Sequence, residues 1–184
     1  MRIGVFGGSF DPVHHGHLLA ATALAESLAL DEVRLVVAAR QPLKQNGHSA
    51  AAEDRAAMVE LAVLGNPRLT ASRAELGRAG PSYTVDTLRE FGAEPRCSEL
   101  VLLLGADAAE ELPQWHQSDM IRGLARVEVF SRAGEGGTHP VPRVDLSSTD
   151  IRARVREGRS IRYWVPEAVA EYIAAHRLYQ DEGT

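Results

Sequence analysis

Short apolar runs alternate along this chain with segments whose leucines and alanines recur at helical spacing, and that alternation limits the fold more than any other feature. Residues 2–7 read as a buried strand ending in glycine. Residues 33–38 are rich in β-branched side chains, 100–104 are uniformly apolar, and 127–131 and 68–71 complete the predicted strands. Helical patterns are predicted near 16–30, 51–64, 84–91 and 106–112, and two more follow near 149–157 and 166–175, the last with Pro166 at its first turn. Residues 40–49 read as a loop and 133–138 as a flexible turn. Strands that alternate with helices imply a parallel sheet covered on both faces. Right-handed crossovers then make it a doubly wound α/β fold, whose ligands lie beyond the C-terminal ends of the strands.

A chain of 184 residues fits one domain, residues 1–184, with a small C-terminal helical part at about 147–180. The net charge of −5 argues against nucleic acid or an anionic membrane as the main partner. No apolar run approaches the roughly 20 residues that cross a bilayer, and the first residues lead into glycines rather than a signal core, so a cytoplasmic protein is expected. Cys97 is the only cysteine, which excludes an internal disulfide and a cysteine-rich zinc site. Of the 20 basic residues, 19 are arginine and only Lys44 is lysine. Where arginine serves almost everywhere, one retained lysine marks either chance or a place needing a compact point charge.

The first strand runs into Gly7-Gly8-Ser9-Phe10-Asp11-Pro12-Val13-His14-His15-Gly16-His17. Glycines let the backbone approach a ligand, and the helix that follows aims free N–H groups and a positive dipole end at the same place. The spacing fits neither a Walker loop nor a dinucleotide fingerprint. His14 and His17 share a helix face, and Gly16 removes a side chain between them. Three readings stand: imidazoles that hydrogen-bond a polyphosphate, structural histidines at a helix start, or a zinc site from His14, His15 and His17. Late in the chain, Ser147-Ser148-Thr149-Asp150-Ile151-Arg152 opens another predicted helix. A serine N-cap is the bland account, but Arg152 in the first turn opposes the helix dipole by about 0.3–1 kcal/mol. Hydroxyls, free N–H groups and a guanidinium make better sense around an anion. Arg154, Arg156, Arg159 and Arg162 continue the charge, mostly as a solvated face.

Together, His14-His15-Gly16-His17 and Ser147-Ser148-Thr149-Asp150-Ile151-Arg152 resemble the two marks of the nucleotidylyltransferase superfamily, a Rossmann-like fold. Within it the chain is most similar to the bacterial nicotinate-mononucleotide adenylyltransferases. Gly7 to Pro12, Ser82-Tyr83-Thr84-Val85-Asp86-Thr87-Leu88, Gly105-Ala106-Asp107, Trp115, and the stretch from Val165-Pro166-Glu167 to Tyr172-Ile173 all fall in family order. One departure is visible: where the family usually has Pro-His-Lys, this chain has Pro42-Leu43-Lys44.

The resemblance implies transfer of an adenylyl group from ATP to nicotinate mononucleotide, giving deamido-NAD and pyrophosphate. It implies His14, His17, Lys44 and Arg152 as the catalytic set, with His17 at the α-phosphate. ATP would be met by Gly7, Gly8, Ser9, Phe10, His14, Gly16 and His17, by Gly105 and Asp107 at the ribose, and by Ser148, Thr149 and Arg152 at the departing phosphates. Ser9, Lys44, Tyr83, Thr84 and Trp115 would hold the mononucleotide. On composition alone Trp115 is as readily a packing residue and Asp107 a helix N-cap; Trp164 is expected in the core. Magnesium would arrive with ATP and needs no protein ligand. The alternatives are a pantetheine-phosphate adenylyltransferase, a cytidylyltransferase, or a nucleotide sensor without turnover.

Overall fold

The computed structural model describes residues 1–39, 48–78, 80–132, 139–142 and 144–180. In chain order the elements are β1 (Arg2–Gly8), α1 (His15–Ser27), β2 (Glu32–Val37), α2 (Ala52–Val63), β3 (Leu69–Ser72), α3 (Thr84–Gly92) and β4 (Glu99–Gly105). There follow α4 (Ala106–Glu111), a 3-10 turn (Leu112–Gln114), α5 (Ser118–Leu124), β5 (Arg126–Arg132), β6 (His139–Val141), α6 (Ser148–Arg156) and α7 (Glu167–Ala175). The sheet is parallel throughout and runs β3-β2-β1-β4-β5-β6. Its order reverses between β1 and β4, where Arg2 sits opposite Glu99 and Val5 opposite Leu102. That reversal leaves a crevice beyond Gly8 and Gly105, since the crossovers on either side of it lead away in opposite directions.

Alternation along the strands divides the interior in two. Val33, Leu35 and Val37 of β2, with Val101 and Leu103 of β4, face a core closed by α1, α2, α6 and α7 through Leu24, Met58, Ile151 and Val169. Ile3 and Val5, with Leu100, Leu102 and Leu104, face the opposite core, closed by Val85, Leu88 and Phe91 of α3 and Ile121 of α5. β4 is buried on both faces, which is why its sequence is apolar without alternation.

The doubly wound α/β expectation holds, with local differences. α1 stops at Ser27 rather than near residue 30, because Ala29 turns left-handed at φ 49° and the Leu30 N–H closes back onto the Ala25 carbonyl at 2.9 Å. Pro166 is the N-cap of α7 rather than a first-turn residue. α5 and the three-residue β6 lie in segments to which the sequence reading assigned no element. The turn at 133–138 and most of the loop at 40–49 fall outside the described residues. Among the described residues no helix is long and apolar enough to cross a membrane.

Candidate active site

β1 delivers Gly8 to the crevice and α1 starts seven residues later, with His14 as its N-cap. A Cβ on Gly8 would stand 2.8 Å from the Phe10 ring, so the backbone there tolerates no side chain. Phe10 itself is buried at 2 % exposure. Its ring meets His17 edge-on at 5.1 Å and Phe6 at 5.9 Å. Phe10 therefore supports the His17 ring from behind.

His14 and His17 stack, with centroids 3.7 Å apart and planes 24° apart. The backbone N–H of His14 donates to Nδ1 of His17 at 3.3 Å. Nδ1 is thus an acceptor, and in the neutral ring the proton resides on Nε2. Burial above all, and then the charge of His14, hold the His17 pKa well below 6.5. Near neutral pH His17 is consequently an uncharged ring with one N–H to offer. A zinc site from these histidines is not supported, because stacked rings do not converge their nitrogens on one point. Among the described residues no cluster of His, Cys, Asp and Glu is arranged to hold a metal.

A Cβ on Gly16 would lie 3.0 Å from the His14 ring and 3.9 Å from Cβ of Leu146, so the start of α1 abuts the segment that leads into α6. α6 is capped by Ser147, whose hydroxyl oxygen accepts from the Asp150 N–H at 3.1 Å and whose hydroxyl donates to Asp150 Oδ2 at 2.7 Å. Ser148 Oγ donates to the Pro12 carbonyl at 2.9 Å. Arg152 donates through Nη1 to the Asp11 carbonyl at 2.7 Å and through Nη2 to Thr149 Oγ1 at 3.3 Å. Two helix beginnings remote in sequence are in this way tied to one loop, and both face the same space.

That space is a cavity of about 1130 Å³ between the ends of β1 and β4. Of the residues singled out in the sequence, Gly7, Gly8, His14, Gly16, His17, Tyr83, Thr84, Gly105, Asp107, Trp115 and Ser148 line it. Ser9, Phe10, Thr149 and Arg152 stand behind or beside this wall. Lys44 lies outside the described residues. Asp107 is not the N-cap of α4: that position belongs to Gly105, which leaves the Asp107 carboxylate exposed at the cavity rim. On the far wall Trp115 sits next to His116, whose ring lies 4.3 Å from that of Tyr83. Trp164 is half-buried against the core with the Arg154 guanidinium 4.5 Å over its ring.

Sequence reasoning assigned nothing to Glu75, which also lines the cavity and is 8 % exposed. It accepts from Thr87 Oγ1 at 2.9 Å. Burial pushes its pKa up, while hydrogen bonds from Thr87 and Ser82 and the charge of Arg78 pull it back. Asp11, Arg55 and Tyr179 were likewise given no role, although Asp11 stood within the glycine-rich segment.

A strand, a glycine-bearing loop and a helix start that presents a histidine N–H, opposed by a second helix start with hydroxyls and an arginine, define a nucleotidylyltransferase site. The chain belongs to the cytidylyltransferase-like family, whose model matches residues 5–154. More narrowly, it belongs with the nicotinate-nucleotide adenylyltransferases. A relative from Thermus thermophilus named "Probable nicotinate-nucleotide adenylyltransferase" is 50% identical over 188 residues, covering 98% of this chain and 100% of its own. One of the same name from Roseiflexus is 43% identical, covering 97% of this chain and 98% of its own. The fold matches that of Plasmodium falciparum nicotinic acid mononucleotide adenylyltransferase complexed with NaAD, with a TM-score of 0.76 over 97% of each chain at 15% identity.

Proposed function

We propose that this chain moves the adenylyl group of ATP onto the phosphate of nicotinate mononucleotide, releasing pyrophosphate and forming deamido-NAD. The observation that carries the reading is the convergence of α1 and α6 on one cavity whose far wall holds Tyr83, Thr84 and Trp115. The family membership gives the acceptor. A phosphate oxygen of the mononucleotide attacks the α-phosphorus, the bond to the β-phosphate oxygen breaks, and pyrophosphate leaves with that electron pair. The attacking monoester has a second pKa of about 6 and is largely a dianion near neutrality, so no general base is needed. Position and charge dispersal are the remaining requirements.

His17 meets them with its Nε2–H, joined by the positive end of α1, at the oxygen on which charge grows. His14 fixes that ring by stacking and by its N–H. Ser148, Thr149 and Arg152 serve the departing phosphates. Ser9 and Lys44 serve the mononucleotide phosphate. Gly105 and the exposed Asp107 carboxylate take the ribose of ATP, and Trp115 stacks on the pyridine ring while Thr84 meets its carboxylate. Magnesium enters with ATP on phosphate oxygens and water, with no protein ligand assigned to it. A cytoplasmic location goes with the same reading.

The test is turnover with ATP and magnesium against two acceptors, with pyrophosphate as the readout. Release with nicotinate mononucleotide is expected. Release only with phosphopantetheine would transfer the chain to the pantetheine-phosphate enzymes, and release with neither would leave a nucleotide binder.

A further inference from the structure

Beneath the crevice the structure buries a charge that none of the roles above uses. Arg55 sits in the first turn of α2, on the same face as the buried Met58, Val59 and Val63, and is itself 1 % exposed. Its guanidinium donates from Nη1 to the carbonyls of Ser9 at 2.7 Å and Ala38 at 2.8 Å. Nε reaches the Ala50 carbonyl at 3.2 Å and Nη2 the Ala39 carbonyl at 3.4 Å. These carbonyls belong to the loop after β1 and to both ends of the segment that follows β2. Asp11, 2 % exposed, binds the same segment from the other side. Its carboxylate accepts from the Ser49 N–H at 2.7 Å, the Ala50 N–H at 3.1 Å and the Tyr179 hydroxyl at 2.9 Å. The Asp11 charge opposes the desolvation that lowers the Arg55 pKa.

Burying an ion pair is weak evidence for stability, since apolar residues of similar volume commonly serve as well. What an arginine alone supplies is a rigid fork that reaches several carbonyls at once. Here the fork holds the Ser9 carbonyl and those of Ala38, Ala39 and Ala50 together, and Asp11, itself bonded by Tyr179, grips the Ser49 and Ala50 N–H groups from the other side. We propose that Arg55 is a positioning residue for the transfer reaction, setting the acceptor-phosphate side of the site through Ser9, whose carbonyl it ties to those of Ala38, Ala39 and Ala50. The inference rests on the function given above, in which Ser9 and Lys44 take the mononucleotide phosphate.

The experiment is steady-state kinetics of Arg55→Lys in the full chain, with each substrate varied in turn. Lysine keeps the charge but cannot span the carbonyls. The KM for nicotinate mononucleotide should rise about tenfold or more, because displacements near 1 Å at a reacting centre have effects of this size. The KM for ATP should stay within about threefold. A purely structural arginine would lower the melting temperature and the active fraction and leave both KM values alone; a folded variant with an unchanged acceptor KM overturns the proposal. Should Arg55→Lys not fold, Tyr179→Phe removes one hydroxyl from Asp11 and should raise the acceptor KM about threefold, the worth of a single hydrogen bond. An unchanged value there overturns it equally. Wild-type turnover separates the two claims: no pyrophosphate from the native enzyme defeats the assigned function, whereas an active native enzyme beside unaffected variants defeats only the role of Arg55.

Discussion

The two helices that open on the cavity begin in opposite ways. α1 starts with the His14–His17 stack, carries no acidic residue in its first turn, and presents a ring N–H and its dipole. α6 starts with a serine cap, an aspartate and an arginine, and its side chains are engaged with the loop after β1. One beginning is a fixed donor of little net charge. The other is a set of hydroxyls and a guanidinium hydrogen-bonded to the loop after β1. The first suits charge that appears during the reaction; the second suits charge that the substrate already carries.

The sharpest way to break this contrast is His17→Ala. Loss of a preorganised donor at a developing charge lowers kcat by about 100- to 1000-fold, with KM for ATP little changed. A variant with raised KM and normal kcat would make α1 a binding element like α6. Arg152→Ala should do the reverse, raising KM for ATP about tenfold through the lost charged hydrogen bonds while kcat falls less. Equal falls in kcat for both variants would erase the distinction. The smallest effect is in stability. The His17 pKa is lowered in the folded protein, so the unfolded chain binds more protons below pH 6.5. Its contribution is complete above that pH and is lost as the pH falls toward the folded value. Melting temperatures between pH 7.5 and 5.5 should therefore decline less steeply in His17→Gln than in the native enzyme, and α6, with no such group, should show no matching change in Arg152→Ala.

The parts of this molecule legible in the sequence are those written locally. The apolar run of β4, the glycines after β1 and the serine before α6 each report their own backbone, and the order of strands follows from alternation and handedness. α5 was invisible because only Ile121 of its seven residues is buried, which leaves no apolar stripe to read. β6 is three residues long and begins just after residues outside the described set. Arg55 and Glu75 were missed for a different reason. A charged residue in a polar helical turn or in a loop looks solvated until the tertiary packing is known, although Arg55 stands three and four residues before Met58 and Val59 on the buried stripe of α2. Nor does the sequence show that the Phe10 ring backs His17 or that Arg152 reaches the Asp11 carbonyl, contacts that only the folded chain brings together.

The bond from Tyr179 to Asp11 spans 168 positions of the chain. Ribosomes make proteins from one end, so a growing chain long enough to contain every phosphate-binding residue still lacks this contact. Nascent enzyme would then gain its full affinity for the acceptor only after residue 179 has emerged.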